Sequence, residues 1–225
     1  MNAHMHAHIS MKVAVVKYNA GNIFSVVHAL QRLGVEPLLT DCAEQLRSAD
    51  KVIFPGQGEA SGAMRYLRER GLDKVITSLT QPVLGICIGQ QLMCRHSEEG
   101  DVDCLGIFDV AVKRFRPVRH EDKIPHMGWN SLSPCFPLPM SESTSPAVAS
   151  PLFKSLPQRG SREGAPFVYF VHSYYVPVCK ETIAVADYIH PFSAAMQRDN
   201  FYATQFHPEK SGAVGQQILK NFLQL

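Results

Sequence analysis

No run of 18 or more apolar residues occurs in this 225-residue chain, so no transmembrane helix is written in it. An excess of either charge is also missing: 22 Lys and Arg stand against 20 Asp and Glu, a formal net charge of +2. So close a balance leaves no electrostatic footprint for nucleic acid or for an anionic membrane. Six cysteines, at positions 42, 87, 94, 104, 135 and 179, include no Cys-x-x-Cys pair and no Cys/His grouping at zinc-ligand spacing. A disulfide framework and a structural metal are therefore not expected. No charged-then-apolar leader opens the sequence, and the expectation is a reduced, soluble, cytoplasmic protein without cofactor or metal.

What is present is enough apolar material, 45% of residues, for one α/β core. Residues 1–10, MNAHMHAHIS, carry His4, His6 and His8 on alternate positions and read as a frayed polar extension, disordered ahead of a single domain over 11–225. From Met11 onward the text follows βαβ grammar: KVAVV as a strand, a helix from about Asn22 to Leu33 ending at Gly34, and EPLLT as a strand. A short helix after Asp41, a strand at KVIFPG, helical text from about Glu59 to Leu79 and a buried strand from Pro82 to Ile86 follow. Crossovers of this length predict a parallel sheet covered on both faces.

The second half has short strand-like segments, DVAVKRF, MGWNSL, FVYFVHSYYV, TIAVADY, SAAMQ and FYATQF, expected as mixed or antiparallel additions to the same sheet. Arg198-Asp199-Asn200 reads as a hairpin turn, and a last helix from about Ser211 to Leu223 sets Val214, Ile218, Leu219 and Phe222 on one stripe. The Pro-, Ser- and Gly-rich stretch 134–166 reads as a surface excursion.

Chemistry concentrates in three places. In PVLGICIGQQL a buried strand runs through Gly85, Cys87 and Gly89 straight into helical text, the pattern of a nucleophile elbow. A thiol held there sits at a helix start beside whatever base the fold supplies, which favours thiolate. In FYATQFHPEKSG a strand end is followed by His207, Pro208 and Glu209. Proline biases the preceding His207 towards extended backbone, so the imidazole stays at the strand end and Glu209 can reach round to orient it. Together Cys87, His207 and Glu209 give the Cys/His/acid logic of acyl transfer. In KVIFPGQG a strand opens into Gly56, Gln57 and Gly58, whose backbone amides, with that of Ile88, suit an oxyanion hole.

Taken together, GICIGQQL, PGQG and FHPEKS resemble the triad-type (class I) glutamine amidotransferases in both content and order. Two further segments, KIPHMGWNSL at 123–132 and YFVHSYY at 169–175, with the lysine and serine of HPEKS, are similar to the glutaminase subunits of imidazole glycerol phosphate synthases. The resemblance implies a flavodoxin-like fold, with a central mixed, mostly parallel sheet flanked by helices. It implies hydrolysis of glutamine to glutamate and ammonia through a γ-glutamyl thioester on Cys87, without a cofactor. It places Gln91, Ser173 and Tyr174 on the substrate, and Asn22, Trp129, Tyr169 and Lys210 on the face that docks a (β/α)8 cyclase subunit in a heterodimer. Neither nucleic acid nor membrane is an expected partner. Lys17 stands where the family commonly has aspartate, and Gln57 where a small aliphatic residue is usual. Rival readings are a glutaminase serving a different synthase, and a cysteine hydrolase on a related fold that works without a partner.

Overall fold

The computed structural model describes residues 11–18, 23–56, 58–134, 150–156 and 164–225. Residues 1–10, Asn22, Gln57 and most of the 134–166 stretch lie outside these. The first half contains β1 (Val13–Val16), α1 (Ile23–Arg32), β2 (Leu38–Thr40), α2 (Ala43–Arg47), β3 (Lys51–Phe54), α3 (Ala60–Glu69), α4 (Leu72–Thr77), β4 (Val83–Ile86) and α5 (Ile88–Leu92). Then come β5 (Cys94–Ser97), β6 (Val102–Asp103), β7 (Phe108–Arg114), β8 (His126–Ser131), β9 (Ser133–Pro134), β10 (Phe167–His172) and β11 (Tyr174–Tyr175). The chain closes with β12 (Thr182–Tyr188), β13 (His190–Arg198), β14 (Phe201–Thr204), a 3-10 turn at Pro208–Lys210 and α6 (Gly212–Leu223).

Among the described residues the principal sheet has eight strands in the order β2-β1-β3-β4-β14-β13-β12-β9. Pairing is parallel from β2 through β14 and antiparallel from β14 to β9. All four residues of β1 are buried because each face is covered: Ala14 and Val16 join the cluster with Met64, Leu67 and Ile76 of α3 and α4, while Val13 and Val15 join Val26, Leu30, Ile218 and Phe222 of α1 and α6. The two-residue turn at Asp199 and Asn200 falls where the sequence puts it, between the paired Arg198 and Phe201.

Three expectations need correction. The helical text from Glu59 to Leu79 is two helices, since Gly71 adopts a left-handed φ of 66° between α3 and α4. The second-half strands do not all join one sheet: β8 and β10 form a separate antiparallel ribbon, and β11, β7, β5 and β6 form a third, four-stranded sheet. Within the stretch read as a surface excursion, Leu152 is fully buried, and Asn221 of α6 donates to the carbonyls of Leu152 at 3.0 Å and Lys154 at 2.7 Å.

Candidate active site

Sheet register brings the two halves of the site together. Thr204 at the end of β14 lies beside Ile86 at the end of β4, and the next amide, that of Cys87, donates to the Thr204 carbonyl at 2.7 Å. Cys87 takes φ 56° and ψ −108°, a conformation that costs a non-glycine residue about 1–3 kcal/mol and that turns its side chain out of the sheet. The turn is so tight that a Cβ on Gly89 would fall 2.1 Å from the Phe54 carbonyl oxygen. Because that neighbour is backbone, Gly89→Ala is expected to destabilise the fold by about 1–3 kcal/mol, read as a lower urea midpoint at unchanged slope.

His207 is the third residue after β14 and is held from outside. Its amide donates to the Tyr169 carbonyl of β10 at 2.9 Å; the Ser211 hydroxyl donates to the His207 carbonyl at 2.6 Å and accepts from the Tyr169 amide at 3.0 Å. His207 Nδ1 lies 2.8 Å from Glu209 Oε1, with both side chains 2% exposed. That carboxylate fixes the tautomer and leaves Nε2 towards Cys87. Burial alone would push this imidazole down, but the Cys87 sulfur and then Glu209 outweigh it and push it up to about 10. Nε2 is buried and makes no complete hydrogen bond among the described residues.

A cavity of about 370 Å³ opens onto Cys87 and is lined by Gly58, Ile88, Gln91, Glu99, Pro125, Val171, His172, Ser173 and Tyr174. Gly58, Ile88 and all three expected substrate residues are thus in one place. Gly56 lies beneath, where an added Cβ would sit 1.9 Å from the Tyr18 hydroxyl and 2.2 Å from Ile88 Cγ2. The Tyr18 hydroxyl donates to the Pro55 carbonyl and anchors the start of that loop. Ile88 is the first residue of α5, so its amide is among those a helix leaves unpaired. At five residues, α5 is too short for a full macrodipole.

Gln91 Nε2 donates both protons to protein, to the Tyr174 carbonyl and to Gln205 Oε1, each at 3.0 Å. Its own oxygen is therefore what it offers a ligand, an acceptor that suits an ammonium group. Glu99, which the sequence pattern did not single out, lines the same cavity. Burial raises its carboxyl above the ordinary range despite the Ala60 amide bound at 3.0 Å. It sits just past β5, in a sheet whose existence no local pattern announced.

Of the expected docking residues, Trp129 is 56% exposed and packs edge-on to Tyr169, their ring centroids 6.2 Å apart. Lys210 is half-buried in the turn beside Glu209. His172, on the cavity wall, and His126, behind it, are both held neutral by burial, pushed down to about 3 and about 4. Between about 6.5 and those values the unfolded chain binds protons that the folded chain does not, so stability falls as pH is lowered through this window. Thermal unfolding is expected to show a Tm that drops from pH 6.5 to 4, with a shallower drop in His126→Phe. Among the described residues no Cys, His, Asp and Glu grouping could hold a metal ion, and no helix is long and apolar enough to cross a membrane.

A strained cysteine, a buried His–Glu pair and backbone amides around one polar pocket make an arrangement chemically suited to acyl transfer through a cysteine. Residues 14–225 match the family glutamine amidotransferase class-I. The chain is 60% identical over 215 residues to the imidazole glycerol phosphate synthase subunit HisH of Bacteroides thetaiotaomicron, covering 96% of this chain and 100% of that one. The like-named protein of Escherichia coli is 44% identical over 216 residues, with 96% and 100% coverage. A putative GMP synthase subunit from Thermoplasma acidophilum shares the fold, with a TM-score of 0.68 at 20% identity over 96% of this chain and 94% of its own. The chain belongs to the class-I glutamine amidotransferases and, within them, to the HisH subunits of imidazole glycerol phosphate synthase.

Proposed function

We propose that this chain hydrolyses glutamine with Cys87, His207 and Glu209 and passes the ammonia to a (β/α)8 cyclase subunit. Together they would form imidazole glycerol phosphate and an aminoimidazole carboxamide ribonucleotide in histidine biosynthesis, in the cytoplasm. The observation that carries the reading is the convergence of β4 and β14, which sets Cys87 and His207 at neighbouring strand ends over a pocket holding Gln91, Glu99 and Tyr174. The Gln91 oxygen and the Glu99 carboxylate would take the ammonium of glutamine, and the Ser173–Tyr174 backbone the rest of its head group.

In the first half-reaction the Cys87 thiolate adds to the side-chain amide carbon, and the oxygen becomes anionic towards the Ile88 amide and the loop of Gly56, Gln57 and Gly58. Losing one such donor typically costs about 10²–10³ in rate. The His207 imidazolium, held by Glu209, gives its Nε2 proton to the departing nitrogen, and the carbon–nitrogen bond breaks to leave ammonia and a thioester. His207, now neutral, takes a proton from water as its oxygen adds to the thioester; glutamate leaves and the thiolate returns with an imidazolium beside it.

Docking of the cyclase subunit would use the exposed Trp129, with Tyr169, Lys210 and Asn22 around it; a tryptophan in a desolvated interface is a usual hot-spot type. Glutamate release by the purified chain, alone and then with a cyclase subunit carrying its nucleotide ligand, tests the assignment. A rise of orders of magnitude with the liganded partner is expected. No response to the partner would leave the triad and remove the pathway.

A further inference from the structure

Behind the cavity runs a chain of hydrogen bonds that the chemical steps do not use. The Tyr174 carbonyl can only accept, so His172 Nδ1, 2.7 Å away, carries the proton. His172 is neutral, which leaves its Nε2 as an acceptor, and His126 Nδ1 donates to it at 3.0 Å. His126 Nε2 in turn faces the Asn130 amide nitrogen at 3.4 Å, and that nitrogen also donates to the Asp187 carbonyl at 2.9 Å. Only one set of tautomers satisfies every member. The far end is the Tyr174 carbonyl shared with Gln91 Nε2, and Gln91 is tied through Gln205 to the Cys87 sulfur, 3.8 Å from Gln205 Nε2.

The near end lies on β8. There His126 and Asn130 turn inward while Met127 and Trp129, on alternate positions, are 63% and 56% exposed. The same ribbon thus presents an open outer face and holds the rear wall of the pocket.

We propose that His126 and His172 are positioning residues for glutamine: their ordered pair, keyed from Asn130, fixes the Tyr174 carbonyl and with it the orientation of the Gln91 amide. The role rests on the glutaminase reading and adds a determinant of substrate affinity to it. His126 also stacks on Tyr188, centroids 4.0 Å apart, and on Phe170 at 4.9 Å, so packing and hydrogen bonding must be separated.

Two substitutions do so. His126→Phe keeps the stack and removes the donor; His126→Asn loses the stack and places an amide N–H near the former Nδ1. With the ligand-loaded cyclase present, His126→Phe is expected to raise the KM for glutamine about tenfold with kcat within about twofold, the size of one lost buried hydrogen bond. His126→Asn is expected to return KM to within about threefold of wild type despite a lower Tm. Asn130→Ala reads the relay from its other end, with KM up about threefold, and serves also if His126→Phe does not fold. An unchanged KM in His126→Phe or Asn130→Ala, or a KM for His126→Asn as high as for His126→Phe, would overturn the positioning role. Wild-type chain that yields no glutamate in the same assay would instead overturn the glutaminase reading.

Discussion

Cys87→Ala is expected to reduce glutamate release by about 10⁴-fold or more, with folding and partner binding preserved. No other described thiol can replace it: Cys42, Cys94, Cys104 and Cys179 are outside the cavity, and burial pushes Cys94 and Cys104 far above the ordinary thiol range, Cys104 to about 12. Losses of this size are typical when the nucleophile of a triad is removed, because the remaining members act only through it. The backbone at position 87 is strained in either protein, and alanine is no bulkier than cysteine, so the fold loses little. Circular dichroism, co-elution with the cyclase and a coupled glutamate assay separate the two effects. Glutamate release near the wild-type rate in this variant would contradict the nucleophile assignment.

Glu209→Gln is expected to cost about 10²–10⁴ in kcat, since a neutral amide neither stabilises the imidazolium nor enforces one tautomer. It also carries a pH signature. His207 is raised to about 10 against burial, by Cys87 first and Glu209 next. Without the carboxylate, burial regains ground and the imidazolium is lost at lower pH, so the alkaline limb of kcat/KM moves towards acid. The same raised value has a stability consequence: the favourable contribution of the charged pair is complete below about 6.5 and lost as pH rises through about 10. A pH–rate profile of the variant that keeps the wild-type alkaline limb would show that Glu209 does not act on His207.

The parts of this protein that local chemistry determines could be read before any coordinates. Glycines at 85 and 89 around Cys87 have a steric reason that the closeness of Gly89 to the Phe54 carbonyl makes explicit. The Pro208 constraint on His207 likewise appears as extended backbone, φ −97° and ψ 95°, just before the 3-10 turn. The juxtaposition of the two motifs could not be read, because whether β14 pairs with β4 depends on a contact more than a hundred residues apart in sequence. For the same reason the third sheet, of β5, β6, β7 and β11, is not legible in sequence: two-residue strands such as β6 and β11 carry no periodicity, and the break in FVYFVHSYY falls at Ser173, whose carbonyl accepts from the Phe115 amide at 3.0 Å. Glu99 escaped notice because a carboxylate after a strand is ordinary until the fold turns it into the pocket. Gly71 was legible as a helix stop in RERGLDK, but helical text on both sides of it masked the break.

The site also gives the serine of HPEKS a role beyond the His207–Glu209 pair. Ser211 bonds both the His207 carbonyl and the Tyr169 amide, so the turn carrying the base is stapled to the ribbon that carries Trp129. The outer ribbon of β8 and β10 is thus joined to His207 by this staple, and to the pocket by the His126–His172 hydrogen bond.

Acid quenching during turnover, with glutamine and the liganded cyclase present, followed by peptide mass spectrometry, tests the central assignment most directly. A single glutamyl group on the peptide containing Cys87, absent without glutamine, is the expected result. A glutamyl group on another residue, or turnover with no covalent adduct under conditions that trap the thioester, would contradict the account.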